Sequence, residues 1–309
     1  MLETIADAEA WGVDSVWLSE HHGFEDGYLP QPLTFAAAIA ARTSRIRIGT
    51  AILLAGLRPA LDIAEQVAIV DILSGGRMEL GVGAGYRAAE YEAFGSDITR
   101  RYDLLEERVT GIRELWESGG CMPPPVQERV PIWLGGMGPR IARMAGRLGE
   151  GLLWLDRALL EPYAQGLERG GHDLSGARVG GVVNLILADD PEAAWARIRP
   201  HFRYQRESYG RYAAGGVKAG MTDPPTLSLG AGHDPADLRG PADQPIPPRF
   251  DVVTVGGAID RLRPWLASMP VTDVFLWESI AGMPEDLVSR HVELVARELR
   301  PALAGATPP

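Results

Sequence analysis

Short apolar runs alternate with amphipathic stretches along almost the whole chain, and this alternation restricts the fold more than any other feature. The runs at 14–19, 45–52, 78–82, 131–134, 151–155, 179–188 and 272–277 read as strands. Between and around them, helical spacing is visible at 2–11, 32–42, 59–73, 105–116, 141–148, 192–198, 201–212, 258–266 and 284–299. Strands separated by helices imply a parallel sheet with both faces covered. The count is seven, one fewer than an eight-stranded α/β barrel requires, and no strand precedes the first helix. Residues 215–249 carry many prolines and no sustained period, and read as a long irregular insertion in one barrel domain spanning 1–309.

Charge and cysteine content exclude several roles. The 309 residues include 30 basic and 41 acidic side chains, a formal charge of -11, which disfavours nucleic acid or an anionic membrane as partner. Cys121 is the single cysteine, so no intrachain disulfide can form, and a reducing cytoplasm fits. No charged-then-apolar leader opens the chain and no apolar run is long enough to span a bilayer.

Two regions look able to carry chemistry. The first is the stretch from Asp71 to Gly95, in which a strand runs into Gly83-Ala84-Gly85 ahead of a new helix. Gly135-Gly136-Met137-Gly138 repeats that pattern after the next strand. Glycines allow close backbone approach, and N–H groups at a helix start attract phosphate, so both turns are candidate anion cradles. Arg87 and Arg140 sit in the first turns that follow, where a cation opposes the helix dipole and a bound anion would offset it. The bland reading is a pair of tight strand-to-helix turns. A dinucleotide fingerprint is not met, because Tyr86 stands where its third glycine belongs.

The second region is Glu20-His21-His22, straight after a buried strand. A histidine there can exchange protons near neutral pH. Adjacent residues of an extended segment point to opposite faces, so His21 and His22 do not form a metal pair, and no metal is expected. The aromatic side chains Phe202, Tyr204, Tyr209 and Tyr212 could line an apolar pocket or simply fill core.

Taken together, VWLSEHH, RIRIGTAILL, LSGGRMELGVGAGYRAAEYEAFG, PIWLGG with AGRLGEGLLW, and TDVFLW resemble the bacterial luciferase-like flavin-dependent monooxygenase family over nearly the whole chain. The resemblance implies a TIM barrel, here apparently without its first strand, binding reduced FMN at the C-terminal mouth. It implies that His21 is the active-site histidine, with Glu20 beside it among the cofactor-binding residues. It also implies that Ala51 and Ile52 form a bulge under the flavin ring, often with a non-proline cis peptide. Gly83, Ala84, Gly85 and Arg87, with Gly135, Gly136, Met137 and Arg140, match the segments that wrap the flavin phosphate. Bacterial luciferase carries arginine where this chain has Ala84, so Arg87 or Arg140 must supply that contact. Many members have His-Pro where this chain has Pro59-Ala60. The reaction implied is oxygenation of a small organic substrate with dioxygen, a separate flavin reductase supplying reduced FMN, in a homodimer. Two alternatives remain open: hydride transfer with a deazaflavin coenzyme on the same barrel, and a non-catalytic flavin-binding paralogue or partner subunit.

Overall fold

The computed structural model describes residues 1–213, 250–280 and 282–304. The expected insertion at 215–249 therefore lies outside the described residues, as does the side chain of Tyr212.

The chain opens with helix α1 (Leu2–Trp11), which stops where Gly12 adopts a left-handed φ of 98° and its N–H caps the last carbonyls. Strand β1 (Ser15–Leu18) follows, then α2 (Pro32–Arg42), β2 (Arg47–Thr50) and the two-residue β3 (Leu53–Leu54). Helix α3 (Ala60–Ser74) buries Ile63, Ala64, Val67 and Ala68, and ends at Gly75 in the same left-handed manner. Next come β4 (Met78–Gly83), the short α4 (Ala88–Ala93), α5 (Arg101–Ser118), β5 (Ile132–Gly135) and α6 (Pro139–Arg147). Strand β6 (Gly151–Leu153) and helix α7 (Leu160–Gly170) lead to β7 (Val179–Val183), β8 (Leu185–Leu187) and α8 (Pro191–Ala213). After the insertion come β9 (Asp251–Val253), α9 (Val255–Leu266), β10 (Val271–Leu276), α10 (Glu285–Leu294) and α11 (Arg300–Ala304).

The main sheet is parallel and runs β1-β2-β4-β5-β6-β7-β10, with β3 attached to β4. These seven barrel strands are the seven read from the sequence. The sheet curls until its outer strands meet, so the barrel is nearly closed. Trp17 on β1 stacks on Phe275 on β10, with ring centroids 5.0 Å apart. Below that stack the Arg47 guanidinium pairs with Asp273 at 2.5 Å and with Glu79, tying β2, β4 and β10 together across the barrel floor. Trp133 donates its indole N–H to Glu79 at 2.8 Å.

Several details differ from the sequence reading, each for a physical reason. The run 179–188 is two strands, not one. Asn184 leaves the ladder between β7 and β8, its side chain accepting from the Trp277 indole at 3.0 Å, and β8 turns to pair with β9. Helical spacing at 192–198 and 201–212 belongs to one helix, α8, with Pro200 inside it. Helix α7 carries Gly166 and Gly170, which disguise it. A Cβ on Gly166 would lie 2.4 Å from the Arg143 carbonyl oxygen, so that glycine lets α7 cross α6 backbone to backbone.

Candidate active site at the mouth of the barrel

Strand β1 releases the chain at Ser19, and the next three residues alternate in direction as an extended segment requires. Glu20 and His22 turn toward one another, with His22 Nε2 and Glu20 Oε1 2.8 Å apart. Glu20 is buried, pairs with Arg58 at 2.6 Å, and accepts the Leu54 N–H at 2.6 Å. It therefore braces β3 and Arg58 from within the protein. His22 shares that brace, while His21 points elsewhere, so the two histidines are separated as expected.

His21 meets Glu90, the third residue of α4, with Nδ1 3.0 Å from Oε1. The same carboxylate oxygen accepts the His22 N–H at 3.0 Å and the Arg87 guanidinium at 3.0 Å. Arg87 also donates to the His22 carbonyl at 2.6 Å, and its guanidinium lies 4.6 Å from the Phe24 ring centre. Burial alone would raise the Glu90 carboxyl. Hydrogen bonds from His21 and the His22 N–H, with the charge of Arg87, hold it below its ordinary value instead. An ionised carboxylate only accepts, so the hydrogen of neutral His21 sits on Nδ1 and Nε2 is the basic nitrogen.

Around His21 the walls are aromatic. Phe24 and Tyr28 have ring centres 4.8 Å from the imidazole, and Tyr86 and Tyr209 stand at 5.8 Å. Tyr28 is hydrogen-bonded to Ser19 at 2.8 Å and accepts from Tyr209 at 2.9 Å. Burial raises the phenol pKa of Tyr28, Tyr86 and Tyr209 alike, so all three stay protonated at neutral pH. The Tyr86 hydroxyl is buried and has no hydrogen-bond partner among the described residues. Of the aromatic side chains named for a pocket, Tyr209 reaches this box. Phe202 is core, stacked on Phe250 at 4.5 Å, and Tyr204 is exposed.

The two glycine turns are neighbours at the same end of the barrel, for Gly83 pairs with Gly135 in the β4–β5 register. The peptide between Ala51 and Ile52 is cis. A Cβ on Gly83 would fall 2.4 Å from Ile52 Cδ1, and one on Gly135 would fall 2.4 Å from Ile52 Cγ2. Both glycines thus make room for the half-buried Ile52 side chain. Gly136 does the same for Ile141, and Gly85, at φ 64°, for Leu54. Ala84 offers its carbonyl to the Tyr91 hydroxyl. Gly138, which precedes α6, faces open space.

The arginines named with these turns divide. Arg87 is buried and engaged inward with Glu90, so in this arrangement it orients the His21 acid and presents no open face to a phosphate. Arg140 stands at the surface, pairs with Asp103 at 3.0 Å, and covers the Tyr102 ring. Met137 is exposed beside it. Among the described residues no three His, Cys, Asp or Glu side chains group to hold a metal ion, and no helix is long and apolar enough to cross a membrane.

The sequence matches the luciferase-like monooxygenase family over residues 1–239. The chain belongs to that family. Among curated relatives of this luciferase-like protein is the F420-dependent glucose-6-phosphate dehydrogenase of Amycolatopsis mediterranei (strain U-32), 34% identical, with 54% of this chain matching 56% of the relative. F420-dependent glucose-6-phosphate dehydrogenase 1 of Rhodococcus jostii (strain RHA1) is 26% identical across 96% of this chain and 92% of its own. The match to the first thus spans little more than half of that relative's length. The luciferase-like fold superposes on monooxygenase RslO1 from Streptomyces bottropensis with TM-score 0.76 at 22% identity, over 97% of this chain and 93% of the other. It superposes on an F420-dependent secondary alcohol dehydrogenase with TM-score 0.75 at 20% identity, over 98% and 94%. The chain is therefore an α/β barrel of the luciferase-like oxidoreductase family.

Proposed function

We propose that this barrel binds the deazaflavin coenzyme F420 and oxidises an alcohol, or reduces the matching carbonyl, by hydride transfer. This replaces the expectation of FMN and dioxygen as the preferred reading, because the curated relatives above are F420-dependent dehydrogenases. The observation that carries it is the His21–Glu90 contact, which leaves a basic Nε2 inside a half-closed aromatic box. Alcohol oxidation needs a group to accept the hydroxyl proton, and that nitrogen is one.

The residues present suit a tricyclic coenzyme. Ile52, held between Gly83 and Gly135, offers an apolar ledge for a ring face, and the open position at Gly138 would take the phosphate end of its tail, with exposed Arg140 within the same turn. When bound, such a coenzyme supplies two-electron hydride acceptance from carbon without activating dioxygen. The chain's own residues do the rest. His21 takes the hydroxyl proton as the carbinol C–H leaves with its electron pair, so an alcohol departs as a carbonyl. Glu90 stabilises the imidazolium that forms and fixes its orientation. Arg87 and the His22 N–H hold Glu90 ionised. The aromatic walls keep water from the reacting carbon. The same reading carries a homodimer, for which the exposed Leu61, Ile69, Ile72 and Leu73 of α3 offer an apolar face.

Titration of the purified protein with F420 and, separately, with FMN tests the cofactor. Saturable quenching of F420 fluorescence with no comparable FMN binding is the expected result. Tight binding of reduced FMN together with substrate-dependent oxygen uptake would return the protein to the monooxygenases.

A further inference from the structure

We propose that the Tyr86 hydroxyl is the donor that holds the substrate's oxygen, and that the substrate is an uncharged, largely apolar alcohol or ketone, not a sugar phosphate. This rests on the hydride-transfer reading above and narrows it to a substrate class.

The starting point is the unpartnered hydroxyl. Buried polar groups nearly always find a partner, and one that does not is commonly waiting for a ligand or a water. Tyr86 Oη is such a group, and its ring packs edge-on to His21, with centroids 5.8 Å apart. Tyr28, on the same imidazole, is satisfied twice over by Ser19 and Tyr209. Two tyrosines share one site, therefore, and one of them is left without a partner among the described residues. Burial keeps Tyr86 protonated, so it donates.

An alcohol oxygen needs one donor and one acceptor around it. Tyr86 Oη–H can donate to the lone pair, and neutral His21 Nε2 can accept the hydroxyl hydrogen. A ketone oxygen accepts only. It takes the same Tyr86 hydrogen bond and one from His21 once that ring is protonated. The pair thus matches both sides of the alcohol–carbonyl couple without any movement of the protein.

The charge of the site argues against phosphate. A dianion taken into a buried pocket needs cations that are not already neutralised. The two guanidinium groups in this hydrogen-bond network are matched one to one with buried acids, Arg58 with Glu20 and Arg87 with Glu90. Among the described residues, His21 is faced by Glu90 on Nδ1 and otherwise by aromatic carbon from Phe24, Tyr28, Tyr86 and Tyr209. Such walls favour an apolar body with a single polar end.

The test uses full-length protein in three arms. F420 fluorescence quenching first establishes coenzyme binding. Its absence overturns the parent reading and this inference with it. With F420 bound, acetophenone, cyclohexanone and glucose 6-phosphate are titrated by calorimetry, and the carbonyl stretch of bound acetophenone is recorded by infrared difference spectroscopy. The expected result is saturable binding of at least one ketone, weaker or no binding of glucose 6-phosphate, and a carbonyl stretch shifted to lower frequency. In the third arm, Tyr86→Phe loses that shift and binds the ketone about tenfold more weakly, the worth of one hydrogen bond to a neutral ligand. Its coenzyme affinity and melting temperature stay as in the parent. Coenzyme binding with glucose 6-phosphate bound more tightly than either ketone, or with no ketone bound, overturns the substrate class and leaves the hydride-transfer reading standing. An unaltered shift and affinity in Tyr86→Phe removes Tyr86 from the site.

Discussion

The two ends of the barrel are built from the same materials and differ in one respect. On the floor, Arg47 lies between Glu79 and Asp273, Trp133 donates to Glu79, and the Trp17–Phe275 stack bridges the outer strands. At the mouth, Glu90 gathers His21, His22 and Arg87, and Glu20 gathers Arg58 and His22. Both are networks of acids, arginines and rings. On the floor the carboxylates are matched by Arg47 and the Trp133 indole, and the contacts join strands to one another. At the mouth, among the described residues, the Nε2 ring nitrogen of His21, the Tyr86 hydroxyl and one Nη group of Arg58 are left over. Structural networks close on themselves, whereas sites for chemistry leave groups to be matched by something else.

The largest test of that contrast is His21→Ala. Loss of a general base slows turnover by about 10²- to 10⁴-fold. The ring does not link strands, so coenzyme affinity and melting temperature should hardly move. Steady-state kinetics beside a binding titration reads both, and turnover within a factor of about two of the parent would take His21 out of the mechanism.

Its counterpart on the floor is Glu79→Ala. The change strands the Trp133 indole and leaves Arg47 with Asp273 alone. Breaking a buried pair costs about 3–5 kcal/mol, and the exposure of Arg47, at 38%, lowers the expectation to about 2–4 kcal/mol. Denaturant unfolding should show that loss with coenzyme affinity unchanged. A variant of parental stability that binds coenzyme poorly would reverse the assignment of the two ends.

A third histidine sharpens the comparison. His291 is buried, accepts the Leu187 N–H on Nδ1 at 2.8 Å, and donates from Nε2 to the Trp277 carbonyl at 3.0 Å, so it pins β8 to the end of β10. Burial lowers its pKa from 6.5 to about 4, the Trp277 contact opposing only in part. The unfolded chain therefore binds this proton more readily than the fold. Stability from this residue is whole above pH 6.5 and is lost as pH falls toward 4, by up to about 3 kcal/mol. Unfolding free energies measured from pH 7 to 4 should show that slope, and His291→Gln, which keeps a donor and an acceptor, should flatten it. An equal slope in both proteins would assign the acid sensitivity to other groups.

How much of this was legible in the sequence depended on the range of each interaction. The seven barrel strands and most helices follow from local period, and they were readable. Strand β9 is not legible, because Asp251-Val252-Val253 is three residues long and follows a stretch without period. The break at Asn184 hides inside an apolar run, and the side chain that bonds Asn184 there, Trp277, is 93 positions away. His21 was visible by type and place. Glu90 was not, for it lies 69 residues on and looks like any helical acid. Tyr86 stands out in the sequence only as the position where a third glycine is absent. The glycines at Gly83 and Gly135 suggested a phosphate cradle, yet the side chain that requires their missing Cβ atoms is Ile52. A glycine in sequence signals a close approach without saying what approaches.

The smallest expected effect is the most discriminating, because it sets two tyrosines of one box against each other. Tyr28→Phe removes a hydroxyl that bonds Ser19 at 2.8 Å and accepts from Tyr209 at 2.9 Å. Both former partners are half-buried, so water can replace part of what is lost, and the cost is about 1 kcal/mol of stability. Ketone affinity should barely change, since the Tyr28 hydroxyl is already used within the protein. Tyr86→Phe removes a hydroxyl with no partner among the described residues, so stability should hold while ketone affinity falls. Thermal unfolding and ketone titration on the two variants give four numbers that must cross in this way. If both substitutions reduce stability and neither alters ligand affinity, the Tyr86 hydroxyl is structural and the mouth is as closed a network as the floor.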